Sequence, residues 1–130
     1  MSLAKVENWE AMLHAAFDRV DAYLEKKHGH RFTRKPNRPA HGDGPTRDSD
    51  GLFDLTVGFT AGFGSIYGQG YVFKIRLATF DPIPPDICEM LKLETIKALS
   101  QELAVVFPER DLRIVVDGDQ YKIIGDLSLG

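Results

Sequence analysis

Apolar residues near the start of the chain recur at intervals of three and four: Val6, Trp9, Leu13, Phe17, Val20 and Leu24. That spacing predicts an amphipathic helix over about 3–28, its stripe widened by Met12, Ala16 and Tyr23. Trp9 and Phe17 are expected to pack in the core. Glu7, Glu10, Asp18, Asp21 and Glu25 fall on the opposite side. Lys26, Lys27 and His28 complement the negative end of the helix dipole, and Gly29 is a plausible stop.

From Phe53 onward the period changes to two. Phe53, Leu55, Val57, Phe59, Ala61 and Phe63 alternate with Asp54, Thr56, Gly58, Thr60 and Gly62, which predicts a strand with one buried face. After a glycine-rich turn at 64–70, a second strand is expected over about 71–80. It sets Tyr71, Phe73, Ile75 and Leu77 against Val72, Lys74, Arg76 and Ala78. The two should form an antiparallel hairpin.

The run 81–85 ends the hairpin, and Pro85 starts a second helix that runs to about Phe107, before Pro108. Cys88, Ile96, Leu99, Leu103, Val106 and Phe107 make one broad apolar face. Ile87, Leu91, Ala98 and Val105 make a second patch, so this helix should be more widely buried than the first, or meet a partner. A final hairpin alternates Leu112, Ile114 and Val116 with Arg113, Val115 and Asp117, and turns at Gly118-Asp119. That turn sets Val116 opposite Tyr121 and Ile114 opposite Ile123. Leu127 and Leu129 could tuck into the core or offer a short peptide to a partner.

The elements make an α+β fold in the order α-β-β-α-β-β. It has a four-stranded, mostly antiparallel sheet with two helices packed on one face and the other face open. The chain of 130 residues fits a single domain, with 43% hydrophobic and 27% charged residues, as in a folded globular protein. No apolar run approaches the ~18 residues needed to span a bilayer. Nor does the N-terminus have the basic-then-apolar order of a secretory signal. The one cysteine, Cys88, rules out an internal disulfide, so a cytoplasmic location is expected.

Charge is distributed unevenly. Residues 29–51 form a long Pro- and Gly-containing loop with no pattern of regular structure. From position 26 to 47 the chain carries seven cations and one anion, so this segment holds +6 and the rest −9 of a net −3. A basic strap on an acidic body points to an anionic partner: nucleic acid, a phosphorylated ligand or an acidic protein surface. The candidate contacts are Arg31, Arg34, Lys35 and Arg38 in the strap. On the open face, beside Thr56, Gly58, Thr60, Gly62, Val72, Ala78, Val115 and Ile124, they are Lys74, Arg76, Arg113 and Lys122. That face carries no central aromatic on which bases would stack. A strap lying across it would build one cationic cleft, whereas a strap held elsewhere would be a clasp.

Catalytic signals are weak. His28, His30, His41 and Asp43 are candidate metal ligands, but their spacing matches no standard signature and their cationic surroundings repel a metal ion. The glycine run 62–70 superficially resembles a phosphate loop, yet it leads into a strand and lacks the Gly-Lys-Ser/Thr ending. Cys88 falls on an apolar helix face as an inert thiol, and Ser65 has no base nearby in sequence. The expectation is therefore a non-enzymatic binding or accessory protein without a cofactor. One alternative is a self-associating adaptor that uses the open sheet face. The other is a metal-assisted enzyme built on the histidine loop.

Overall fold

The computed structural model describes residues 3–36, 38–43 and 51–126. Arg47, Leu127 and Leu129 lie outside them. The helix α1 spans Leu3–His28 and α2 spans Pro85–Val106. The strands are β1 (Phe53–Asp54), β2 (Val57–Thr60), β3 (Gly70–Phe73), β4 (Arg76–Leu77), β5 (Leu112–Asp117) and β6 (Gln120–Gly125). The α+β architecture is as expected, except that each strand of the first hairpin is in two pieces. Register is kept across the gap: Phe53 pairs with Leu77 and Asp54 with Arg76, then Val57 with Phe73 and Phe59 with Tyr71. The four-stranded sheet runs β2-β3-β6-β5, all antiparallel. In the last hairpin Val116 pairs with Tyr121 and Ile114 with Ile123, the register expected from the turn.

The helix stripe of α1 supplies much of the core. Trp9, Leu13, Phe17, Val20 and Leu24 are buried against Phe53, Tyr71, Phe73 and Ile123. Phe17 meets Phe73 edge-on, with ring centroids 5.2 Å apart. Trp9 packs on Phe107 at 4.3 Å and donates its indole N–H to the Tyr71 hydroxyl at 2.9 Å, so its one polar atom is satisfied inside the core. Pro85 begins α2 as expected, and Phe107 closes it by donating its backbone N–H to the Leu103 carbonyl.

Three expectations need correction. First, α2 is the less buried helix: only Leu91, Thr95, Leu99 and Leu103 are buried, one narrow row at intervals of four. Cys88 and Ile96 are half-buried and Val105 is exposed, because α2 covers α1 and the β5 side with a single stripe. Second, the period-two strand ends at Thr60. Phe59 is exposed, and Phe63 is 98% exposed in the following loop. Third, the outer sheet face is not open throughout. Residues 61–69 fold back over it onto Lys122, which is buried, as are Gly70 and Ile124.

Candidate anion-binding surface

The strap is pinned at the end of the first hairpin. Arg34 forms a β-bridge with Thr79, and the Lys35 backbone N–H donates to the Ala78 carbonyl at 2.8 Å. The Thr33 N–H donates to Asp81 Oδ2 at 2.7 Å, and the Thr79 hydroxyl donates to the Thr33 carbonyl at 2.6 Å. Further along, the Gly51 N–H donates to the Pro39 carbonyl at 2.9 Å. The described part of the strap is thus a clasp beside β4, held mainly by backbone groups. It does not cross the sheet to form one cleft with Lys74, Arg76, Arg113 and Lys122. Thr33, Thr79 and Asp81 carried no sequence signal for this role.

The eight candidate cations fall into different environments. Arg38 is turned inward: its Nε donates to the Gly51 carbonyl at 2.7 Å and its NH2 reaches the Phe53 carbonyl at 3.5 Å. Those contacts tie the strap to β1. Arg31 sets NH1 3.2 Å from His28 Nδ1, and Arg34 donates through Nε to the Arg38 carbonyl at 3.3 Å. Lys35 lies over the Phe80 ring, 5.1 Å from its centroid. Arg31, Arg34 and Lys35 are all exposed and form no salt bridge among the described residues. Phe80, which the sequence reading did not single out, is 77% exposed beside them.

On the sheet the picture is different. Lys122 is 1% exposed, and its ammonium meets Asp117 Oδ2 at 2.7 Å, Ser65 Oγ at 2.8 Å and the Gly68 carbonyl at 2.9 Å. Three donors have three acceptors, so Lys122 is an internal tie rather than a surface charge. Hydrogen bonds from Lys122 and then Ser65 hold the Asp117 carboxyl below its ordinary range. Lys74 pairs with Asp119 at 3.1 Å, and that bond lowers the Asp119 carboxyl in the same way. Arg76 pairs in register with Asp54, and both line a groove of about 320 Å³ with Thr56, Gly58, Val72 and Lys74. Arg113 is exposed on β5, paired in register with Ile124.

The histidine candidates are not brought together. His28 is buried, and its Nε2 lies 3.0 Å from Glu94 Oε2 on α2. Because the Arg31 guanidinium can only donate to Nδ1, the His28 proton sits on Nε2 and is given to Glu94. Desolvation pushes the Glu94 carboxyl up, but hydrogen bonds from His28 and Lys27 outweigh it and hold the group below its ordinary value. His41 lies 3.9 Å from Asp21 of α1, while His30 and Asp43 are exposed. Among the described residues no three His, Cys, Asp or Glu side chains converge as a metal site, and no helix is long and apolar enough to cross a membrane.

The fold is that of a small α+β protein whose first hairpin is clasped by Thr33, Arg34 and Lys35. A model of a family of uncharacterised proteins matches residues 4–125, and the chain belongs to that family. An uncharacterized protein of Borreliella burgdorferi is 36% identical over 126 residues, covering 96% of this chain and 98% of that one. No solved structure matches the chain.

Proposed function

We propose that the protein is a non-enzymatic binding protein whose clasped end contacts an anionic polymer. The observation that carries this reading is the exposure of Arg31, Arg34 and Lys35 without a carboxylate partner among the described residues, on a backbone already fixed by hydrogen bonds. A preordered strap loses less entropy on docking than a free one. Guanidinium forks suit phosphate, and the exposed Phe80 adds an aromatic surface of the kind single-stranded nucleic acid stacks on. Single-stranded RNA is therefore the first ligand to test, with heparin as a polyanion lacking bases.

Fluorescence anisotropy across a salt series tests the proposal. Binding should weaken steeply as salt rises. The combined Arg31→Gln, Arg34→Gln and Lys35→Gln variant should lose at least about tenfold in affinity, as three removed phosphate contacts predict. Absence of binding to both polymers at low salt overturns the reading. Equal affinity of wild type and triple variant does so as well.

A further inference from the structure

We propose that the cleft where α2 meets the β5–β6 turn and the segment 74–76 binds a phosphomonoester of mononucleotide size. The cleft encloses about 400 Å³, within the range of small-molecule sites. Lys74, Arg76, Lys92 and Asp119 line it, brought together from three parts of the chain that are distant in sequence. Three cations against one carboxylate leave it with +2. Lys74 and Asp119 pair with each other at 3.1 Å, so the uncompensated charge belongs to Arg76 and Lys92. Arg76 is exposed and Lys92 half-buried, and neither has a side-chain hydrogen bond or ion pair among the described residues. Asp54, the register neighbour of Arg76, instead accepts a hydrogen bond from the Thr56 hydroxyl at 2.9 Å.

A phosphomonoester carries about −1.5 to −2 at neutral pH and three strong acceptor oxygens, which matches the free charge of the cleft. A guanidinium takes two such oxygens in its fork, and an ammonium adds a point charge. A lone carboxylate would leave one of the two cations uncompensated. The cleft also has an apolar wall, made of Val116, which is 63% exposed, and the half-buried Tyr121. Tyr121 is held in place by stacking on Phe73, with ring centroids 5.5 Å apart. An apolar wall beside two free cations suits a phosphate attached to a ring rather than phosphate alone, because covering Val116 removes apolar surface from water. The inference uses none of Arg31, Arg34 and Lys35, so it stands apart from polymer binding at the clasp.

Amide chemical shifts of isotope-labelled protein, followed during titration with adenosine monophosphate to roughly 5 mM, test it. Shifts should concentrate at 74–76, at 92 and at 116–121. The nucleotide should bind at least about tenfold more tightly than adenosine or inorganic phosphate, its two halves. Arg76→Gln with Lys92→Gln should weaken it at least about tenfold. Asp119→Asn is the second variant: it releases Lys74 and raises the cleft to +3, so affinity should increase about threefold or more. A gain of affinity cannot come from a damaged fold. The Arg31, Arg34 and Lys35 triple variant should bind the nucleotide as wild type does, which separates this site from the clasp. Absence of shifts overturns the proposal, as do shifts centred on the clasp. Adenosine or phosphate binding as tightly as the nucleotide overturns it too. So does an affinity unmoved by the Arg76 and Lys92 change, or not increased by Asp119→Asn.

Discussion

The Lys122 ammonium lies 2.7 Å from Asp117 Oδ2, across the last hairpin and beneath the 61–69 loop. Alternation along β6 places Lys122 on the outer sheet face, where a solvated lysine is ordinary. The loop arriving from β2 converts it into a buried, fully satisfied group. This one contact removes a cation from the surface and fixes the segment that presents Phe63 and Ile66.

Replacing Lys122 by methionine keeps the apolar stem but leaves the Gly68 carbonyl without its donor and Asp117 without its counter-ion. The expected loss is about 2 kcal/mol, the scale for unmaking buried hydrogen bonds to a charged group. Urea unfolding followed by the fluorescence of Trp9, the only tryptophan, gives the value. Amide exchange should quicken selectively in 61–69. An unchanged midpoint with unchanged exchange would show that the tie contributes nothing.

Arg38 and the exposed strap cations should separate by salt dependence. Arg38 spends its hydrogen bonds on the Gly51 and Phe53 carbonyls. Arg38→Met should lower stability by roughly 1–2 kcal/mol and loosen the strap to proteolysis, while leaving the salt slope of polyanion binding unchanged. Removing Arg34 should do the reverse, flattening the slope by about 0.7 for one lost contact to a single strand. A flatter slope in Arg38→Met would return that guanidinium to the binding surface.

These contrasts mark what local pattern could and could not reveal. Period three-four along α1 and period two from Phe53 to Val57 identified buried residues, because burial there follows from the element's own geometry. The turn at Gly118-Asp119 fixed the last register for the same reason. The alternation through Phe59 and Phe63 misled, since it continues past the point where the sheet supplies a covering layer. Lys122 and Arg38 were read as surface charges because their acceptors are distant in sequence: Ser65 and Gly68 for one, Gly51 and Phe53 for the other. The excess of positive charge in the strap was legible from composition. Which of its cations stay exposed depends on backbone carbonyls, which composition does not encode.

Acid should destabilise the fold through Glu94, Asp117 and Asp119. All three carboxyls are held below their ordinary values of 4.5 for Glu and 3.8 for Asp. A carboxyl whose folded value is depressed contributes stability in full above its unfolded value, and that contribution fades as pH falls through the folded value. Urea midpoints should therefore hold from neutral pH to about 5 and then drop towards pH 3. Glu94→Gln removes the titrating charge shared by His28 and Lys27, so it should lower the midpoint at neutral pH and shallow the acid limb. A variant whose limb stays as steep as wild type would assign the acid sensitivity to other carboxylates.

Two glycines in the 61–69 loop separate backbone strain from crowding. Gly62 and Gly64 have φ of +84° and +79°, a region in which a side chain is strained. A Cβ on Gly64 meets nothing within 4 Å, so Gly64→Ala should cost only the conformational term, about 1 kcal/mol. A Cβ on Gly62 would run into the Gly68 carbonyl, the same oxygen that accepts from Lys122. Gly62→Ala must therefore push 68 away from the ammonium and should cost clearly more, with faster exchange in the loop. Because the two substitutions share a backbone cost, their difference in urea midpoint isolates the close approach of 62 to 68. Equal losses would mean that the loop can shift without disturbing Lys122, and that its apolar tip is less firmly presented than these contacts imply.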